Sequence, residues 1–335
     1  MIFYLSLAIM FLAVSLKDSR LRLSLVMITI VAAARFGIGA DWDYYYSIST
    51  PEGRRSYFAI AGFLAGYTKE IELFQPLSNL ALNLSIPRMP IVIYAVSTGL
   101  GLYYLLRNKE NPQSRLMLYF ALPITYLMSW ATIAQSLAVV LLMLAVQAYY
   151  KGEIRFAIVV LLFSTYVHIS MPVFAIALLV IGFTHFRSSG FFGFVMWLLI
   201  LFQLVFQISI KDVSLPEVLL LSSNYFSEVK GAGGSLLIPL ISWLYVIYYP
   251  FAKKGLPITV LGASLAVSIF LAPLGNISYR VLSVFMIYFL LNDVYFFRYV
   301  NAKVTRRMFY DVACISMFLL SIIIGKNMYI PYSVL

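Results

Sequence analysis

The stretch Arg35-Phe-Gly-Ile-Gly-Ala-Asp41-Trp42-Asp43-Tyr44-Tyr45-Tyr46 follows directly on a hydrophobic run, and it gathers one cation, two carboxylates, two glycines and a cluster of Trp and Tyr. Polar groups held at a membrane boundary cost free energy unless they have a role. Aromatic faces can stack on pyranose rings while carboxylates accept hydroxyl protons, so Asp41, Trp42, Asp43, Tyr44 and Tyr45 read as a sugar site, with Asp41 as a base. The plainer reading is an interfacial aromatic belt with solvated acids.

Three further positions could share that chemistry. His168, in Tyr166-Val-His-Ile-Ser170, carries a side chain that ordinarily titrates near neutral pH and can act as a base toward a hydroxyl; a lone histidine otherwise serves packing. Glu72 falls on a short apolar segment where an acid is expensive. Arg35 and Arg280 lie at the ends of apolar spans. Each could simply snorkel to the headgroups; together they could hold an anion such as a lipid pyrophosphate through charge-assisted hydrogen bonds worth about 1.5 to 3 kcal/mol each.

The elements that must position these residues are membrane helices. Of 335 residues, 62% are hydrophobic and 11% charged, against roughly 25% charged in a soluble domain. Apolar segments recur from end to end, which predicts one all-α integral-membrane domain over 1–335 with about twelve spans, near 2–16, 21–36, 90–106, 115–129, 132–150, 154–167, 168–184, 190–209, 236–250, 257–273, 279–297 and 308–325. The first segment has no basic n-region and no small-residue cleavage site, so it reads as a retained helix rather than a signal peptide.

The net charge of +11 is explained by topology rather than by nucleic acid. Most basic residues fall in alternate short loops, among them Lys17, Arg20, Arg22, Arg107, Lys109, Arg115, Lys151, Arg155, Lys253, Lys254 and the Arg298–Arg307 segment, which the positive-inside rule places in the cytoplasm. Two longer polar loops, about 37–71 and 211–235, and shorter turns near Arg88, His168 and Arg280 then face outward. Residues 72–86, with Pro76 near the start and Pro87 at the end, fit a re-entrant or half-buried outer helix better than a full crossing.

Several chemistries lack any motif. Cys314 is the single cysteine, His185 is distant from His168, and no acidic cluster has metal-ligand spacing. There is no P-loop for ATP and no GxSxG elbow for serine hydrolysis. No metal and no cofactor are expected.

Taken in order, Arg35-x-Gly-x-Gly-x-Asp41-Trp42-x-x-Tyr45, Ile71-Glu72-Leu-Phe74, Ile133-Ala134-Gln135-Ser-Leu-Ala138, His168-x-Ser170, Tyr279-Arg280 and Pro331-Tyr332 resemble the EpsG/Wzy-like polysaccharide polymerases over nearly the whole chain. The resemblance implies a GT-C-like glycosyltransferase of the bacterial inner membrane, with its site on the periplasmic face. There it would lengthen O-antigen or exopolysaccharide from undecaprenyl-diphosphate-linked donor and acceptor glycans. Membrane lipid and a chain-length regulator protein are the partners so implied, and nucleic acid is not one. Asp41, His168 or Glu72 would then be the base. Arg35, Arg280, Arg88, Gln135 and the position of Ala134 would line the diphosphate site, and no metal would take part.

One position departs from the family pattern. An arginine usually precedes the glutamine of the third motif, and here that residue is Ala134. Either other cations compensate, or the chain is an inactivated variant; the second reading is the one favoured. Two rival functions remain, an O-antigen ligase using the same donor and a lipid-linked oligosaccharide flippase or transporter.

Overall fold

In the computed structural model of the chain, residues 21–34, 49–51, 73–122, 133–168, 170–183 and 276–329 are described. Every regular element among them is a helix: α1 (Leu21–Ala34), α2 (Phe74–Asn83), α3 (Met89–Leu106), α4 (Pro112–Ala121), α5 (Ile133–Tyr150), α6 (Ile154–Val167), α7 (Met171–Phe183), α8 (Asn276–Asn292), α9 (Val294–Asn301) and α10 (Val304–Tyr329). The expected spans near 2–16, 190–209, 236–250 and 257–273, and the two long outer loops, lie outside the described residues.

Among the described residues, α3 and α5 are each 18 residues long and apolar enough to cross a membrane, and a bent α8–α9 pair qualifies if counted as one span. At about 1.5 Å per residue, 18 residues cover roughly 27 Å, close to the thickness of a bilayer's hydrocarbon core. The protein is therefore a helical membrane protein. α2 is different in kind: its 10 residues reach about 15 Å, half a crossing.

The chain divides into two compact units, and the described candidates Arg88, Ala134, Gln135 and His168 fall in the first, which contains Met1–Ala175. There α3 is the central strut, packed on α1, α2, α4 and α5, while α5 pairs with α6. Glycines allow the close approaches. A Cβ at Gly99 would collide with Thr29 of α1, and one at Gly101 with Val140 of α5, which is how membrane helices gain van der Waals contact without a hydrophobic driving force between them.

Local signals set the helix ends. α5 stops at a Schellman motif in which Glu153 N–H donates to the Ala148 carbonyl (3.0 Å) and Gly152 N–H to Tyr149 (3.0 Å). Gly152 takes the left-handed conformation (φ 81°) that this motif needs. The three-residue turn makes α5 and α6 an antiparallel hairpin. α2 ends in the same way, with Ile86 N–H on Ala81 (2.8 Å), but with Ser85 rather than glycine at φ 56°.

In the second unit, the span expected over 279–297 is interrupted. Asp293, 4% exposed, is extended, and its Oδ1 accepts the Phe296 N–H at 2.7 Å. An N-cap starts a new helix, and the chain bends by 62° there. Phe296 packs on Phe289, Phe297 and Tyr310, so aromatic contacts fill the corner.

Candidate functional site

Two backbone or side-chain hydrogen bonds and one ring contact define one end of the first unit. Leu73 N–H, directly after Glu72, donates to the Tyr166 carbonyl at 2.8 Å. Phe74 then packs its ring 5.9 Å from that of Tyr94. On the other side of the hairpin, Ser164 Oγ donates to the Ala138 carbonyl at 2.7 Å. Because α5 and α6 are antiparallel, one turn from that bond sets Ala134 and Gln135 level with Val167 and His168.

α1 reaches the same level. It runs antiparallel to α3, since Arg22 Nε donates to Tyr103 Oη (2.7 Å) near its start and Thr29 meets Gly99 further along. Five more residues bring Ala34 to the height of Tyr94. Four regions distant in sequence thus converge on one end of the bundle: the end of α1, the start of α2, the start of α5 and the α6–α7 break.

His168 sits in that break, with an extended backbone at the end of α6 (φ −155°, ψ 118°). Its N–H donates to Ser164 (3.0 Å), and its carbonyl accepts from Met171 (3.2 Å), so the backbone is fixed on both sides. The ring is oriented by Ser170, whose Oγ lies 2.9 Å from Nδ1 and whose N–H points at the same atom from 3.4 Å. When Nδ1 accepts, Nε2 carries the proton and donates to an anionic oxygen; when Ser170 Oγ accepts instead, Nε2 becomes the basic atom. The serine can support either role.

Gln135 is 3% exposed, and neither its Oε1 nor its Nε2 has a hydrogen-bond partner. Ser78 Oγ on α2 and Thr98 Oγ1 on α3 are in the same condition. Parallel packing of α3 on α5, with Gly101 against Val140, puts Thr98 one turn nearer the Gln135 end. Burying a polar group unsatisfied costs about 1 to 3 kcal/mol, so these helices carry hydrogen-bonding capacity that no described protein group uses. Serine and threonine within apolar runs gave no signal in the sequence; Gln135 was named there only through the motif resemblance.

The other expected residues divide into three groups. Ala134 is 1% exposed, wholly inside the helix packing. Arg88 is the exposed N-cap residue of α3. Arg280 lies in α8, in the second unit, and Arg35, Asp41, Trp42, Asp43, Tyr44, Tyr45 and Glu72 fall outside the described residues, as do Pro331 and Tyr332. Among the described residues no three His, Cys, Asp or Glu side chains are grouped as a metal site would require.

The fold and this end together define a class: an all-helical membrane protein with a fixed histidine and an unsatisfied buried amide at one end of its bundle. The chain belongs to the EpsG family, whose model matches residues 20–334, and this is a family of Wzy-like polysaccharide polymerases. No curated protein and no solved structure matches the chain.

Proposed function

We propose that the protein polymerises oligosaccharide repeat units carried on undecaprenyl diphosphate, at the periplasmic face of the bacterial inner membrane, within a single GT-C-like domain of about twelve helices. Family membership supports the polymerase class. The observation that carries the site is the convergence of Leu73, Gln135 and His168, from three separate motifs, on one end of α2, α5 and α6. In this reading α2 is a re-entrant helix in the outer leaflet.

The acceptor hydroxyl oxygen bonds to the anomeric carbon of the donor glycan as the bond from that carbon to the diphosphate oxygen breaks. The hydroxyl proton passes to Asp41 or His168, with Glu72 as the third candidate. The diphosphate leaves as an anion, so stabilising its charge matters more than protonating it; Arg35 and Arg280 take that part, assisted by Arg88 and by the Gln135 amide. No metal is required. Trp42, Asp43, Tyr44 and Tyr45 orient the sugar rings, and a chain-length regulator would act on the growing polymer.

Ala134 is where this chain loses a cation, and we read it as an inactivated or attenuated variant. Its burial is compatible with that view, because an arginine held there would need an anion beside it. In membranes supplied with lipid-linked repeat units, Ala134→Arg is expected to raise polymer formation at least tenfold, or about 1.4 kcal/mol of barrier. In that background Asp41→Asn or His168→Ala should abolish the ladder at unchanged expression. No gain from the arginine removes the account of Ala134; activity in both later variants removes the base assignment. Supplying lipid A core as the acceptor separates polymerase from ligase.

A further inference from the structure

His168 and Ser170 meet at two points, and the two are not equivalent. The Ser170 hydroxyl, 2.9 Å from Nδ1, can donate or accept, so by itself it leaves the imidazole tautomer open. The Ser170 amide can only donate, and it is directed at the same Nδ1 from 3.4 Å. We infer that Ser170 is a positioning residue that keeps the His168 proton on Nε2, so that in glycan transfer His168 gives a hydrogen bond and does not take the proton of the acceptor hydroxyl.

The local backbone is built for an acceptor at Nδ1. His168 is extended where α6 ends, and its carbonyl accepts the Met171 N–H at 3.2 Å, a turn that brings the Ser170 N–H within reach of the ring. In turns of this kind an Asn or Asp side chain accepts the N–H two residues on. Nδ1 is bonded to Cγ, as the Asn or Asp side-chain oxygen is, and it takes that oxygen's place. A proton on Nδ1 would face the amide proton and leave that N–H without its acceptor at the start of an apolar helix. With Nδ1 unprotonated, the hydroxyl also donates to it, and the two Ser170 donors act together.

The ring has no easy way out of this arrangement. His168 N–H donates to the Ser164 carbonyl at 3.0 Å, Leu73 N–H to that of Tyr166 at 2.8 Å, and Ser164 Oγ to that of Ala138 at 2.7 Å, so the backbone that carries the ring is tied to two other helices. A half-turn of the ring would put Cδ2 where Nδ1 stands and lose both Ser170 contacts. The tautomer follows from this geometry alone, whereas the part His168 plays in transfer rests on the polymerase reading. There the acceptor's proton goes to a carboxylate, Asp41 or Glu72, and His168 keeps its own.

The full chain, with histidine labelled at both ring nitrogens and with His185→Gln removing the second histidine, is measured by solid-state NMR in phosphatidylcholine bilayers at a pH where the ring is neutral. Nδ1 is expected to give the signal of an unprotonated imidazole nitrogen and Nε2 that of a protonated one; the reverse assignment overturns the inference. Ser170→Ala keeps the amide, so the tautomer should persist, but the Nδ1 signal should move as its hydroxyl donor is lost, and Ser170→Thr should restore it. An Nδ1 signal unmoved in Ser170→Ala means that the serine side chain does not position the ring, and overturns that role.

Transfer gives the second readout, in the Ala134→Arg background. His168→Gln offers an amide donor near the position of Nε2 without a basic nitrogen, and it should keep polymer formation within about tenfold of the parent, whereas His168→Ala lowers it about 100-fold or more. Equal losses in the two variants overturn the assignment of His168 as a donor. Should none of these chains make polymer, it is the polymerase reading that fails, and the NMR assignment still decides the tautomer.

Discussion

The two ends of α3 and α5 solve opposite problems with the same helices. At the Gln135 and His168 end, Gln135, Ser78 and Thr98 are neutral, buried and lack partners. At the other end the charges of Lys109, Arg115 and Lys151 lie close together, beside neutral groups such as Gln113, Ser114 and Gln147. Neutral amides and hydroxyls recognise by direction and reject what cannot hydrogen-bond; clustered cations recognise by charge and tolerate varied geometry. The first end offers directional hydrogen-bonding capacity, and the second concentrates positive charge.

The sharpest way to break that division is to exchange the consequences. In the Ala134→Arg background, His168→Ala should lower polymer formation about 100-fold or more, the scale expected for a lost acid–base group, while Lys109→Met leaves it within twofold. The measurement is ladder intensity from membranes containing equal amounts of protein. Equal effects of the two substitutions would mean that the ends do not act separately.

A smaller effect tests whether Gln135 is kept for binding or for folding. Gln135→Leu replaces an unsatisfied amide with an apolar side chain of similar size, so the thermal midpoint should rise, reflecting about 1 to 3 kcal/mol of relieved desolvation. Polymer formation should fall roughly tenfold, the size of one lost hydrogen bond to a substrate oxygen. A gain in stability without a loss of activity would make Gln135 a tolerated defect in packing, and would leave His168 as the main support of that end.

How much of this was legible in the sequence depended on the range of each signal. Helix content and the α3, α5 and α6 boundaries followed from apolar length, which is local. The break at Asp293 was missed because an acid inside an apolar run looks like a tolerated charge until its carboxylate is seen capping Phe296. His168 stood out as a lone histidine, and Gln135 entered through the motif that resembles the family's; their common level depends on the Ser164–Ala138 bond between helices. No spacing rule encodes such a bond. Arg115 was counted only as one more loop cation, since its complete burial is a tertiary property. Ser78 and Thr98 were missed because small hydroxyl residues are common in membrane helices, where they usually bond to their own backbone or to a neighbouring helix.

The smallest effect concerns the pH dependence of the charged end, and its sign is fixed. Burial and two neighbouring cations lower the ionisation of Lys109 in the folded chain, so over the window from that lowered value up to the usual lysine value the unfolded chain binds more protons. Stability contributed by this group therefore rises with pH across that window, and below it the charged lysine opposes folding. Lys109→Met should be the more stable protein at neutral pH, with its advantage shrinking as pH rises through the window. Gln135→Leu, which removes no titrating group, should show an advantage that stays level over the same range. Thermal melts of both variants against the unsubstituted chain provide the check. A Lys109→Met advantage that grew with pH would mean that this end is not crowded with charge, and the contrast between the two ends would lose its electrostatic half.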